Sequence, residues 1–299
     1  MPASKRFLHP EAISRISRLD LRARHIVEGF LSGTHRSPYF GQSVEFLQHR
    51  EYTPGDDLRH VDWKVWAKQD RYYVKQFEED TNLRATLLVD VSGSMQYGSG
   101  PMNKFEIGCT VAVSLAYLLL RQQDAVGCIA FDEAIRAKVP LRTRRSHLNS
   151  IVQALSASDP REKTDMQPIF RGAAETFPRR GLMILISDLL VDRAGLFKGL
   201  KLLRQRGHDV IVFHVMDDEE LDFSFTGPTR FEGLELPQNL SCNPRALRAG
   251  YLAALEVYLD EVRRGCARNE VDYVLLRTSQ PLDAALAAFL ANRQGSQRK

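Results

Sequence analysis

Oxygen-bearing side chains alternate in the segment Asp90-Val91-Ser92-Gly93-Ser94. The segment follows an aliphatic run, residues 85–89, which has the length and composition of a buried strand. Alternation lets the carboxylate of Asp90 and the hydroxyls of Ser92 and Ser94 converge on one point, and hard divalent cations bind such oxygens. Ligands bind outside the carboxyl ends of strands in open α/β sheets, so the location agrees with the chemistry. Taken alone, a Ser- and Gly-rich turn can equally cap the next helix.

Two later positions can supply further oxygens to a cation at this point. Thr164 precedes a predicted helix, and Asp188 follows the apolar run at residues 182–186. Magnesium takes about six oxygen ligands and usually keeps several waters, so a site with few carboxylates suits it. The predicted ion is Mg²⁺, with Mn²⁺ and Ca²⁺ as alternatives. The predicted metal ligands are Asp90, Ser92, Ser94, Thr164 and Asp188.

Downstream of residue 82, short aliphatic runs alternate with helical patterns, which is typical of βαβ units around a parallel sheet. The run at residues 182–186 is entirely apolar, as a strand buried on both faces requires. The predicted fold is therefore α/β: a doubly wound, Rossmann-like, mostly parallel sheet flanked by helices, in a domain that spans residues 83–299 and contains an irregular insertion at residues 217–243. The patterns predict strands at residues 85–89, 126–131, 135–139, 182–186, 210–215 and 271–276, and helices at residues 104–121, 147–155, 167–176, 196–206, 245–267 and 282–292.

Residues 1–82 are predicted to form an N-terminal extension that packs on this domain. They begin with an amphipathic helical pattern after Pro10 and continue into an aromatic and charged segment around a turn signal at residues 54–57. Two interpretations stay open. Ion pairs and aromatic burial could fasten this segment to the sheet, or the segment could be a surface that binds a partner. The residues assigned to that surface are Tyr52, Asp56, Asp57, Arg59 and Trp63.

Composition and charge argue against several other classes of protein. The longest apolar run, residues 111–120, is ten residues long, whereas a membrane-spanning helix needs about 20. No secretory signal is visible at the N-terminus, so we expect a cytoplasmic protein without a transmembrane segment. The net charge is only +4, and the basic run at residues 136–145 lacks interleaved aromatic residues, so we expect no nucleic-acid partner. The four cysteines form no C-x-x-C pair and are predicted to be reduced, buried thiols.

Motifs that would support catalysis at this metal are missing. The predicted site has no second pair of carboxylates for a two-metal centre, and no histidine stands near its residues in the sequence. His208 and His214 are predicted to lie on a strand and are interpreted as core or edge residues. The Gly-rich stretch before Lys104 has Asn103 where a phosphate-binding loop has glycine. We therefore predict that the protein is not an enzyme. Neutral hydroxyl ligands leave a bound ion electropositive, which favours binding of a partner's carboxylate.

The five predicted metal ligands occur in an order that resembles the metal-ion-dependent adhesion site of von Willebrand factor A domains. In that resemblance Ser92 and Ser94 bind the metal directly, Thr164 binds it directly or through water, and Asp90 and Asp188 do either according to conformational state. The string Arg50-Glu51-Tyr52-Thr53-Pro54-Gly55-Asp56-Asp57-Leu58-Arg59 and its continuation to Trp63 resembles the bacterial family known as domain of unknown function fifty-eight. His60 and Val61 depart from that family's usual aliphatic pair.

The resemblance to this family implies a function in protein binding. Its members are linked to MoxR-type AAA+ ATPases, which would supply the energy for remodelling or assembling a client protein. The sequence therefore predicts a metal-dependent protein-binding adaptor that works with such an ATPase and a client. The alternatives are a structural domain with an idle metal site and a metal-dependent hydrolase.

Overall fold

A computed structural model of the chain describes residues 44–51, 65, 72–79, 83–158, 166–234 and 239–280. They fall into two compact units, one within residues 35–83 and one that contains every described residue from Arg84 onward. The smaller unit contains two antiparallel strands, β1 (Val44–Glu51) and β2 (Tyr73–Glu79). The extended stretch that the sequence indicates at residues 72–77 is confirmed as a strand. A domain boundary after residue 82 stays a prediction.

The larger unit is built on a six-stranded sheet. Its strands, together with a separate two-stranded hairpin, are β3 (Arg84–Asp90), β4 (Ala125–Phe131), β5 (Ile135–Arg142), β6 (Leu182–Ser187), β7 (Asp209–Met216), β8 (Thr229–Glu232), β9 (Asn239–Cys242) and β10 (Asp272–Arg277). The sheet has the order β10-β7-β6-β3-β4-β5, and β8 pairs with β9 alone. Neighbours in the sheet are parallel, except that β5 is antiparallel to β4. The chain runs outward from β3 to β5 and returns on the other side of β3 as β6, which places the topological switch between β3 and β6.

Helices cover both faces of this sheet. They are α1 (Lys104–Arg121), α2 (Leu148–Ser156), α3 (Met166–Thr176), α4 (Arg193–Gln205), α5 (Asp218–Asp222) and α6 (Pro244–Arg268). Side chains of α3, α4 and α6 share one apolar cluster with alternate residues of the central strands, such as Leu88 and Leu185. Gly108 of α1 lies against Ile186, whose side chain points to the opposite face. Each large apolar side chain buried in this way stabilises the fold by about 1.5 to 3 kcal/mol.

The predicted α/β fold is confirmed, including the doubly wound order and the mostly parallel sheet. Strand β6 is buried along its whole length, as its apolar sequence predicts. The helix predicted at residues 104–121 has those bounds, and the other described elements begin and end close to their predicted limits. The predicted helices before residue 34 and at residues 282–292 lie outside the described residues.

The prediction of an irregular insertion at residues 217–243 is wrong in part. The short helix α5 and the hairpin β8–β9 lie inside it. These elements have four or five residues each, which is too short for a hydrophobic period to be read. Asp217 and Glu220 form a capping box at the start of α5, and this pattern was visible in the sequence.

Two smaller predictions also need correction. Cys109, Cys128 and Cys266 are buried free thiols as expected, but Cys242 is only partly buried because it ends the exposed hairpin strand β9. His208 is buried but precedes β7 instead of lying on it. Of the helices in the described part of the chain, none combines the length and the apolar character needed to cross a bilayer.

Candidate functional site

The candidate site lies at the carboxyl ends of β3 and β6, where the topological switch of the sheet opens a crevice. Asp90 is the last residue of β3 and Ser187 the last of β6, and the parallel pairing of these strands brings the two side chains together. The hydroxyl of Ser187 donates to Asp90 Oδ2 at 2.5 Å. Asp90 is completely buried, because both strands are central in the sheet.

The loop after β3 turns back on itself immediately. The backbone N–H of Ser92 donates to Asp90 Oδ1 at 2.9 Å, and a 3-10 turn, Gly93–Gln96, follows. This turn places Ser92 Oγ 3.1 Å from Ser94 Oγ, so the two predicted hydroxyl ligands do converge. Met95 is buried beneath the turn and anchors it to the core.

Asp188 follows β6 in a loop whose backbone is held at several points. His214 Nε2 lies 2.8 Å from the backbone oxygen of Asp188, and Tyr258 Oη donates to the backbone oxygen of Leu189 at 2.7 Å. Leu189 adopts a left-handed conformation with φ of 54°, which is uncommon for a residue other than glycine. Because Leu189 is buried, the loop turns Leu190 outward, and 51% of Leu190 is exposed.

Lys104, the first residue of α1, reaches this loop with a fully buried side chain. Its ammonium group donates to Asp188 Oδ2 at 2.8 Å and to Glu220 Oε1 at 2.7 Å. Burial lowers the pKa of Lys104, but the two carboxylates outweigh burial and the net pKa is raised. Lys104 therefore carries a positive charge beside a predicted metal ligand.

The two predicted carboxylate ligands repel each other electrostatically. The pKa of Asp90 is raised from 3.8 to about 7, first by burial and then by the charge of Asp188, although hydrogen bonds from Ser187 and Ser92 act in the opposite direction. A buried carboxylate with a raised pKa lacks sufficient compensating charge. A cation between these groups would stabilise both ionised forms.

His214 positions Asp188 and is unsuited to act as a base. The backbone oxygen of Asp188 can only accept a hydrogen bond, so Nε2 carries a proton and Nδ1 accepts from Tyr273 Oη at 2.8 Å. Burial lowers the pKa of His214 to about 4, which keeps the ring neutral. Both ring nitrogens are thus used to hold the structure.

The donor set fits a magnesium ion. Two ligands at adjacent corners of an octahedron with Mg–O distances of 2.0 to 2.1 Å are about 3 Å apart, and the two serine hydroxyls are separated by 3.1 Å. Among the described residues, no group of three or more His, Cys, Asp or Glu side chains could hold a metal ion, either here or elsewhere. Hydroxyl oxygens would therefore have to provide part of the coordination.

The structure brings four of the five predicted ligands to one end of the sheet: Asp90, Ser92, Ser94 and Asp188. Thr164 lies outside the described residues. The helix α3, which follows Thr164, packs closely on α4, because a Cβ added to Gly199 would meet the ring of Phe170. The predicted partner-binding residues Tyr52, Asp56, Asp57, Arg59 and Trp63 also lie outside the described residues.

Sequence reasoning missed Lys104, Glu220, His214 and Tyr258 as neighbours of the site. Lys104 and Asp188 are 84 positions apart in the chain, and no local pattern connects them. One signal was available. Lys104 occupies the same helical stripe as Ile107 and Val111, so a charged residue falls on a buried face of α1.

Comparison with known proteins identifies the family. The chain matches the family described as "Protein of unknown function DUF58" over residues 48–258. It is 25% identical over 291 residues to the uncharacterized protein Mb1516 of Mycobacterium bovis and to the uncharacterized protein Rv1480 of Mycobacterium tuberculosis. In both cases the alignment covers 95% of this chain and 90% of the relative.

Two solved structures that this chain matches have low sequence identity and TM-scores below 0.5. BatB from Bacteroides thetaiotaomicron is 15% identical with a TM-score of 0.45, covering 70% of this chain and 98% of its own. The SpRpn10 VWA domain is 10% identical with a TM-score of 0.41, covering 68% of this chain and 93% of its own. Because the family match spans well over half of the chain, the protein belongs to the DUF58 family.

Proposed function

We propose that the protein is a metal-dependent protein-binding adaptor. A divalent cation, with Mg²⁺ as the first candidate, would be held by Asp90, Ser92, Ser94, Thr164 and Asp188. When bound, the ion supplies a positive charge and an open coordination position for an Asp or Glu carboxylate of a partner protein. The buried pair of carboxylates at the ends of β3 and β6, next to two converging hydroxyls, is the observation that carries this proposal.

The residues of the site have distinct tasks in this proposal. The carboxylates of Asp90 and Asp188 provide negative charge, while the neutral hydroxyls of Ser92 and Ser94 add coordination without adding charge. Two carboxylates balance the charge of a divalent ion without exceeding it, so an open coordination position can still accept an incoming carboxylate. Ser94 is the most exposed of the four at 9%, so the partner would approach on its side of the crevice.

We infer the kind of partner from the family resemblance. A MoxR-type AAA+ ATPase would supply the energy, and a client protein would be remodelled or assembled. The carboxylate that completes the coordination would belong to one of these two proteins. We also infer that the protein works in the cytoplasm and binds its partners without turnover. Both His214 ring nitrogens are engaged in hydrogen bonds, so His214 is not available as a general base.

Calorimetry tests the metal site directly. Wild type and an Asp90→Ala/Ser92→Ala double variant are titrated with MgCl₂ and MnCl₂ after treatment with chelator, and folding is checked by circular dichroism. We expect one weak site in wild type and no binding heat in the double variant. Identical titrations would show that the metal is not held by this loop.

A co-purification experiment tests the adaptor function. The full-length chain is used as bait in magnesium and in chelator, with the Asp90→Ala/Ser92→Ala variant as control, and the retained proteins are identified. We expect an AAA+ ATPase to be retained by wild type in magnesium alone. Equal retention in both buffers by a folded protein would refute the metal-bridged mechanism.

A further inference from the structure

In the described structure, the positive charge next to Asp188 is the ammonium group of Lys104. Lys104 Nζ contacts Asp188 Oδ2 at 2.8 Å and Glu220 Oε1 at 2.7 Å, and the Lys104 side chain is completely buried. A buried ammonium group is stable only when it is paired, so these two carboxylates are what keeps Lys104 in place. One positive charge is thus shared between a predicted metal ligand and a residue of α5.

Glu220 is fixed independently of Lys104. Its second carboxylate oxygen, Oε2, accepts from the backbone N–H of Asp217 at 2.9 Å, and Tyr251 Oη donates to its backbone oxygen at 2.8 Å. Glu220 would therefore stay beside the Lys104 ammonium even when Asp188 turns to another cation. The ammonium group would lose one of its two ion pairs and keep the other.

A divalent ion and the ammonium of Lys104 need the same negative charge. Asp188 Oδ2 is already bound to Lys104, and a second cation close to the ammonium is repelled by it. Removing Lys104 from Asp188 has a cost, since an ion pair in a buried environment is broken. The affinity for metal therefore depends on how readily Lys104 releases Asp188.

We propose that Lys104 is an internal cation that holds Asp188 in the metal-free protein, competes with the divalent ion for it, and is retained by Glu220 when Asp188 is released. This inference rests on the proposed metal site, and it adds regulation of that site. Because Glu220 belongs to α5, the position of this helix is linked to occupation of the site. A partner that displaces α5 would weaken metal binding, since Lys104 would then hold Asp188 alone.

Two substitutions with opposite expected effects on metal affinity test the proposal. Lys104→Met removes the competing charge and keeps the apolar stem, so Mn²⁺ should bind on the order of tenfold more tightly in calorimetry. Glu220→Gln removes the second partner of Lys104, so Mn²⁺ should bind several-fold more weakly. The surface variant Lys198→Met, which removes one positive charge away from the site, should match wild type. A purely structural role for Lys104 predicts weaker binding in both site variants.

The double variant Lys104→Met/Glu220→Gln separates competition from simple loss of a nearby negative charge. If Glu220 acts through Lys104, the Glu220→Gln substitution should have little effect on affinity in the Lys104→Met background. If Glu220 acts on the ion directly, the loss of affinity should persist there, and the proposed role of Glu220 would be wrong.

A measurement on wild type is available should Lys104→Met fail to fold. The ¹⁵N-labelled ammonium group of Lys104, assigned with Lys104→Arg, is followed by NMR during titration with Mg²⁺. We expect its signal to shift with the same dissociation constant that calorimetry gives. A bound metal with an unchanged Lys104 signal overturns the proposal and leaves the metal site intact. No heat in wild type and no shift overturn the metal site itself, and this inference with it.

Discussion

Two buried aspartates stand at the same end of the sheet, and their electrostatic environments are opposite. Asp90 ends β3 and has a pKa raised to about 7, whereas Asp217 follows β7 and has a lowered pKa. Burial raises the pKa of both. The difference is in the neighbouring groups. Asp217 accepts hydrogen bonds from the backbone and side chain of Ser99, the side chain of Thr278 and the backbone of Glu219.

The two environments differ in whether the negative charge of the carboxylate is satisfied by hydrogen-bond donors within the protein. At Asp217 hydrogen-bond donors outweigh burial, so the charge is satisfied and fastens α5 to the sheet. At Asp90 the second-largest influence is another carboxylate, Asp188, and the charge is left in deficit. Burial therefore does not identify a ligand site by itself. A deficit of positive charge among buried carboxylates is the feature that supports the proposed cation site, because either a proton or a bound cation relieves it.

The largest expected effect is the loss of stability in Asp217→Asn, and the same substitution at Asp90 is the comparison. Both oxygens of Asp217 accept from a backbone N–H, so the amide group of Asn would face a donor in either orientation. Asp217→Asn should lower the free energy of unfolding by about 3 kcal/mol. At Asp90 the amide can instead donate to the rotatable hydroxyl of Ser187, and Asp90→Asn in chelator should stay within about 1 kcal/mol of wild type. Urea denaturation measures both. Equal losses of stability in the two variants would contradict the proposed difference between Asp217 and Asp90.

The contribution of Asp217 to the free energy of unfolding should depend on pH. The folded-state pKa of Asp217 lies below its ordinary value of 3.8, so its contribution is fully present above that value and is lost as pH falls through the folded pKa. The difference in stability between wild type and Asp217→Asn should be constant from about pH 5 to 7 and shrink in more acidic buffer. Urea denaturation at several pH values tests this. A difference that grows on acidification would contradict the sign.

Much of the fold could be predicted because hydrophobic periodicity is a local property. The helix at residues 104–121 and the all-apolar strand β6 are long enough for one period to dominate, and both are confirmed. The hairpin β8–β9 could not be read because each strand has four residues that are mostly exposed. Its stability depends on tertiary contacts, such as Phe231 stacked near Phe223, which a local pattern does not contain.

The candidate site was predictable only in part for a similar reason. Asp90, Ser92 and Ser94 lie within five residues, and alternation alone predicts that they converge. Asp188 could be placed because the ends of parallel strands meet at one edge. The pairing of Lys104 with Asp188 and Glu220 depends on the depth of α1 in the core, and that depth follows from packing.

A smaller effect is expected from two tyrosines of α6, each of which donates to a backbone oxygen. Tyr258 binds Leu189 in the site loop, and Tyr251 binds Glu220 in α5. Each Tyr→Phe variant should lose about 1 kcal/mol of stability in thermal or urea unfolding. Tyr258→Phe should also weaken Mn²⁺ binding in calorimetry, because it loosens the loop that carries Asp188. Unchanged affinity in Tyr258→Phe would show that this hydrogen bond does not position the site.

The smallest effect on stability is expected at two exposed leucines, one in the loop after β6 and one in the hairpin β8–β9. Leu190 is 51% exposed beside Asp188, and Leu240 is 58% exposed on β9, so replacing either by Ser should change stability by less than about 0.5 kcal/mol.

The effects of these two substitutions on partner binding should differ. Leu190 stands on a loop held by His214 and Tyr258, so it presents a rigid apolar contact next to the site, where a partner's carboxylate would arrive. With the ATPase recovered in the co-purification experiment, Leu190→Ser should weaken metal-dependent binding several-fold while Mn²⁺ affinity stays unchanged. Leu240→Ser should bind like wild type. If Leu240→Ser weakens binding and Leu190→Ser does not, the partner docks on the hairpin and not at the crevice between β3 and β6.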